Sequence, residues 1–200
     1  MRNLFAVDDP NADAAYKDIR APKGEGAAVA RANCDDLWRD FAPYASEHFR
    51  VEFRRHFHQR WFEMYLAVAL LRAGLTIECP PKGAPDVRVQ HRDGRVLWLE
   101  GIAPTGGDES TSDRVVQPRA TPGESSVAYY VPRDQIAIRI CGALREKAAR
   151  LMAYRQRGVI GPEHQAVVAI NVRGIPDAAL RGRTFRACCN LRTGATVHDA

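Results

Sequence analysis

The stretch "PDVRVQHRDGRVLWLEGIAPTGG", residues 85–107, holds two short apolar runs that meet at an Asp-Gly, with one acid near each outer end. Asp-Gly between alternating apolar residues is a strong local signal for a β-hairpin. The loop can close in two ways, and they place the acids differently. A two-residue loop, Asp93-Gly94, pairs Arg92 with Arg95 and sets Val87 against Glu100, Arg88 against Leu99 and Gln90 against Leu97. Apolar residues would then oppose charged or polar ones on both faces, which a half-buried sheet disfavours. A three-residue loop, Arg92-Asp93-Gly94, with Gly94 left-handed in a bulge, pairs His91 with Arg95 instead. Val87 then meets Leu99 and Val89 meets Leu97 on one apolar face, while Arg88 meets Trp98 and Asp86 meets Glu100 on the other. Hydrophobic matching selects this second register. Two directly opposed carboxylates repel unless a proton or a cation lies between them, and a hard ion such as Mg²⁺ takes oxygen ligands. In the competing reading, Asp86 merely opens a strand after Pro85 and Glu100 lies on a wet edge.

Working outward from the hairpin, Phe57, Trp61, Met64, Val68, Leu71 and Leu75 recur at steps of four and three, and predict one long helix from Phe53. Gly74 marks its C-terminal stop. "LTIEC" (75–79) predicts a strand, and the hairpin adds strands over about 86–91 and 95–103. Residues 104–126, rich in Gly, Ser, Thr, Pro and Asp, read as a long loop. A second helix fits 134–156, and "QAVVAINV" (165–172) reads as a buried strand. The order over 53–172 is therefore helix, three strands, helix, strand. Residues 1–27 show no periodicity and read as a loose leader, followed by a short helix in "GEGAAVARANCDDLWRDFA" (24–42). Residues 1–52 thus form an N-terminal extension, and 173–200 a C-terminal one that lacks an obvious closing element and leaves its completeness open. The GxG at 24–26 follows no strand and has no third glycine, which argues against a nucleotide loop.

The second helix carries a lysine in an unexpected place. Ile136, Ile140, Ala143, Leu151 and Tyr154 form its apolar stripe, and at 100° per residue Lys147 falls in the middle of it. Lysines are almost never buried unless paired. Either its stem threads the apolar face to bring the ammonium to the acids, or it snorkels to water. On the first helix His56, Arg60 and Glu63 form a polar stripe at i, i+4, i+7. Glu63 can join the acids, directly or through water, or pair internally with Arg60.

Composition bounds the class of protein. Of 200 residues, 26% are charged and 46% apolar, ordinary values for one soluble domain with extensions. No apolar run approaches the ~20 residues that cross a bilayer, and the N-terminus has no secretory pattern. The five cysteines are odd in number and show no CxxC spacing, which points to reduced thiols in the cytoplasm and away from zinc. The adjacent Cys188 and Cys189, and His56 with His58, are poorly disposed to share one ion. An Arg-rich net charge of +5 leans toward a polyanionic partner.

The element order, with "PD" (85–86) opening the second strand and Glu100 in the third, resembles the PD-(D/E)xK nuclease superfamily, the restriction-endonuclease-like fold. The resemblance covers about 53–172 and implies an α/β domain with a mixed central sheet flanked by helices. It also implies a divalent-metal-dependent nuclease that hydrolyses phosphodiester bonds, with DNA as the expected partner, Mg²⁺ as cofactor and Mn²⁺ as a substitute. Asp86 and Glu100 would be the metal ligands, joined by the backbone carbonyl of Ile102, and Glu63 would match an acid that many members carry on the first helix. The chain departs from the motif where Ile102 stands two residues after Glu100 in place of lysine. Some members move that lysine to the following helix, and Lys147 suits this migrated role, with Arg139 a weaker candidate. Arg114 and Arg119 of the long loop, with Arg133 just beyond, would track the phosphate backbone.

A second reading keeps the fold without catalysis, as a module that binds nucleic acid or a partner protein, with Ile102 as its mark. An unrelated small α/β enzyme would need a nucleophile or cofactor loop, and the sequence displays neither. The choice between DNA and RNA, and the formation of a homodimer, stay open at this point.

Overall fold

In the computed structural model, which describes residues 3–80, 82–116 and 130–178, the hairpin closes through the three-residue loop. Strands β2 (Val87–Gln90) and β3 (Val96–Ile102) run antiparallel with Val87 opposite Leu99 and Val89 opposite Leu97. The His91 N–H donates to the Arg95 carbonyl at 2.9 Å, and Gly94 takes φ 85°, a conformation that glycine enters without a Cβ penalty. Strand β1 (Thr76–Glu78) lies antiparallel on the far side of β2, and β4 (Gln165–Ile170) lies parallel beside β3. The mixed sheet thus has the order β1-β2-β3-β4. A parallel neighbour requires a crossover, and helix α5 (Arg133–Gln156) lies within that connection.

Strand alternation divides the core in two. Ile77, Val87, Val89 and Leu99 face helix α4 (Phe57–Arg72), while Val96, Trp98, Ala166 and Val168 face α5, packing against Leu151 and Tyr154. The chain is therefore an α/β protein, its four-stranded sheet covered by helices on both faces.

Two expectations need correction. The periodic stretch from Phe53 is not one helix: the chain turns at His56 (φ −131°, ψ 56°), separating α3 (Phe49–Arg55) from α4. Neither proline nor glycine marks the break in the sequence. The turn sets α3 at the corner of an aromatic cluster, where the Phe53 ring lies 5.0 Å from Phe57 and 5.7 Å from Phe5. The first residues are not a loose leader either. They contain α1 (Ala14–Arg20), capped by the Asp13 side chain, and Leu4, Phe5 and Tyr16 are buried in that cluster beside α2 (Glu25–Phe41). The Asp13 N–H donates to the Arg54 carbonyl at 2.8 Å and ties this segment to α3.

Helix α4 ends as expected at Gly74, φ 77°, whose N–H donates to Leu71 while that of Leu75 donates to Leu70. A Cβ at Gly74 would meet no atom within 4 Å. Gly74→Ala should therefore cost about 1 kcal/mol through the backbone alone. Urea titration checks this: the midpoint should fall with an unchanged slope, and a changed slope would mean that the helix end itself had rearranged.

Candidate functional site

The site begins where one strand outruns its partner. Strand β2 starts at Val87, whereas β3 continues to Ile102, so the last stretch of β3 has no strand on that side. Backbone groups alternate along a strand. Because Arg95 faces β2, so does Gly101, whereas Ile102 faces β4, where its carbonyl accepts the Asn171 N–H at 2.8 Å. The Asp86 carboxylate (Oδ2) accepts the Gly101 N–H at 2.8 Å. The Gln59 amide does the rest: its Nε2 donates to the Gly101 carbonyl at 3.1 Å, and its Oε1 accepts the Ala103 N–H at 2.9 Å. Two side chains replace the missing strand.

Gln59 also fixes Glu63 one turn further along α4. Its Nε2 donates to Glu63 Oε1 at 2.8 Å, while Arg60 donates to Oε2 at 2.6 Å. Both glutamate oxygens are held, so the pairing of Glu63 with Arg60 is realised and the carboxylate stays at the end of β3. From the opposite face of the sheet comes Glu100, 1% exposed. Its Oε1 accepts from Lys147 Nζ at 2.9 Å and lies 3.4 Å from an Arg150 nitrogen. Its Oε2 is buried without a hydrogen-bond partner. Lys147 is itself buried on the α5 stripe, its ammonium at the acid and not in water.

The three acids act on one another. Burial raises the pKa of Glu63 and of Glu100, and the charge of Asp86 raises both further, while Arg60 and Gln59 oppose this at Glu63 and Lys147 and Arg150 oppose it at Glu100. Neighbouring Cys79 is pushed up to about 11 by burial and by the charges of Asp86 and Glu63, so its thiol stays protonated. Glu63, Asp86 and Glu100 share the wall of a cavity of about 620 Å³ with Arg60, Arg150 and Tyr154. Lys147 stands behind Glu100 and is not part of that wall.

Among the described residues, no three or more His, Cys, Asp or Glu side chains are grouped so as to hold one ion. Mg²⁺ does not need such a cage, because it keeps several waters and binds through one or two carboxylates plus substrate phosphates. A buried carboxylate oxygen without a partner, on a cavity wall shared with a second carboxylate, is a donor set that fits it. The Ile102 carbonyl is engaged on the β4 side, and the backbone carbonyl on the acid side is that of Gly101.

The basic residues read from the sequence lie elsewhere. Arg114 is exposed, 3.9 Å from Glu109, and Arg133 is exposed at the start of α5; neither lines the cavity. Arg119 lies outside the described residues, as do Cys188 and Cys189. Arg139 is held by Asp113 at 3.1 Å and by the Thr105 carbonyl at 3.0 Å. Sequence reading passed over Gln59 and Arg150. Each stands one helical turn from a residue it did single out, Glu63 and Lys147, and that spacing was the available signal. No family model, curated protein or solved structure matches this chain, so the case for what the site does rests on its geometry.

Proposed function

We propose that the chain is a Mg²⁺-dependent phosphodiester hydrolase acting on nucleic acid, DNA foremost, built on a restriction-endonuclease-like core. The observation that carries this reading is the convergence of Glu63, Asp86 and Glu100 on one cavity, with Glu100 Oε2 unpartnered and Lys147 paired to Oε1. The order α4, β1, β2, β3, α5, β4, with β4 parallel to β3, supports it as the order of that core.

Asp86 and Glu100 would hold the ion, which supplies an acidified water and offsets phosphate charge. Lys147 holds Glu100 by Oε1, and Oε2 is left without a partner to serve the ion. Arg150, about half exposed on the wall, is the cation placed to meet a phosphate oxygen as charge builds on it. Gln59 and Arg60 hold Glu63 fixed at the rim and oppose the upward shift of its pKa. In the reaction, a water oxygen bonds to phosphorus and gives up a proton to solvent, the bond to the sugar oxygen breaks, and that leaving oxygen takes a proton from solvent, so that water is added across the bond.

The test is incubation of purified protein with a supercoiled plasmid, a single-stranded DNA circle and an RNA, each with Mg²⁺, Mn²⁺ or EDTA. Cutting with metal and none with EDTA is the expected result. Binding without cutting in any condition would overturn the hydrolase and favour the non-catalytic module, for which Ile102 in place of lysine is the specific argument.

A further inference from the structure

The acids do not stand on an open face that a double helix could lie across. Glu63 and Glu100 are 8% and 1% exposed, on the wall of the 620 Å³ cavity. Tyr44 and Phe49, at the corner between α2 and α3, and Tyr154 of α5 supply aromatic wall, and Pro80 with residues 82–87 contributes another side. A volume of roughly 300–1,000 Å³ suits a small ligand buried on most sides. Duplex DNA instead presents its phosphates on the outside of a rod whose major groove alone is about 12 Å wide. A scissile phosphate can reach Glu100 only if its nucleotide enters the cavity, and a paired nucleotide cannot do so without leaving the stack.

Resting on the hydrolase reading above, we infer that the substrate is an unpaired nucleotide, at a single-stranded segment or a frayed end, with its base held against Tyr44. The chemistry of the wall matches the two halves of such a ligand. Arg60 and Arg150 are engaged with Glu63 and Glu100, but a guanidinium has five N–H donors and keeps some for a phosphate. A half-buried tyrosine offers a face on which any base can stack, which gives binding with little sequence preference.

Fluorescence anisotropy with an end-labelled oligothymidine, a blunt duplex and the same duplex with a single-stranded tail tests this, each with Ca²⁺ and with EDTA. The oligothymidine and the tailed duplex should bind about tenfold or more tighter than the blunt duplex, and Tyr44→Ala should weaken oligothymidine binding by about fivefold or more. Tyr44→Phe, which keeps the ring, should restore it; because Tyr44 also packs against the core, binding of each variant is measured well below its own melting temperature. A blunt duplex bound as tightly as the single strand would overturn the inference while leaving the hydrolase reading intact. Strand preference unchanged in Tyr44→Ala would overturn the placement of the base. Failure of all three nucleic acids to bind would remove the hydrolase reading itself.

Discussion

Asp86→Asn should abolish metal-dependent cleavage and, at the same time, raise the melting temperature at neutral pH. The two effects have one cause. The charge of Asp86 raises the pKa of both Glu63 and Glu100, so ionising either glutamate beside it carries an electrostatic cost. Asparagine keeps an oxygen that can accept the Gly101 N–H now held at 2.8 Å, so the edge of β3 remains closed. It removes the charge, relieving repulsion between the half-buried Asp86 and the two buried glutamates worth on the order of 1 kcal/mol, or roughly 2–4 °C in a chain of this size. A neutral amide is a far poorer ligand for a hard cation, and losing one preorganised electrostatic element from such a site typically costs 10²–10³ in rate. Mg²⁺ should raise the melting temperature of the wild type by mass action and leave that of the variant unmoved. Calorimetric scans with and without Mg²⁺, run beside the cleavage assay, decide the matter. A variant that melts lower and cuts normally would show Asp86 to be a strand-edge cap and nothing more.

That dual role of Asp86 explains which parts of the site the sequence displayed. The hairpin register was legible because Val87, Val89, Leu97 and Leu99 can share one face in only one of the two loops. Lys147 was legible because helical periodicity is local, and a lysine on an apolar stripe conflicts with its neighbours without reference to the rest of the chain. The metal role expected for the Ile102 carbonyl did not use that register: a strand closed by His91 and Arg95 turns Gly101 toward Asp86, and the Ile102 carbonyl accepts from Asn171. The role of Gln59 could not be read in this way. It exists because β3 outruns β2, and where a strand stops depends on contacts made far along the chain. The packing of Leu4, Phe5 and Tyr16 was hidden for a related reason. Their partners Phe49 and Phe53 lie more than thirty residues away, and the bend at His56 that brings them together is set by the cluster and not by any breaker residue.

The Lys147–Glu100 pair makes the sharpest stability prediction. Lys147→Met preserves most of the buried stem and its packing but leaves Glu100, 1% exposed, with only the partly solvated Arg150 at 3.4 Å. Breaking a buried pair from one side costs about 3–5 kcal/mol, and the remaining contact with Arg150 favours the lower end, about 3 kcal/mol at neutral pH. The pH dependence follows from the direction of the shift. Burial and Asp86 hold the pKa of Glu100 above its ordinary value, so the native state keeps the proton to a higher pH than the unfolded chain does. Between those two values stability falls as pH rises. Lysine opposes the shift, so its removal widens that window upward. The deficit of Lys147→Met should therefore be largest above the raised pKa and shrink as acid neutralises Glu100. Placing Glu100→Gln in the same chain should recover most of the loss at neutral pH, because a neutral amide no longer needs the ammonium. Urea titrations of the two single variants and the double variant, from mildly alkaline to mildly acidic pH, give the coupling free energy directly. A deficit that is constant with pH and additive with Glu100→Gln would mean that Lys147 contributes packing alone. A coupled, acid-relieved deficit would identify the lysine as the countercharge that lets a buried carboxylate stay ionised at this site.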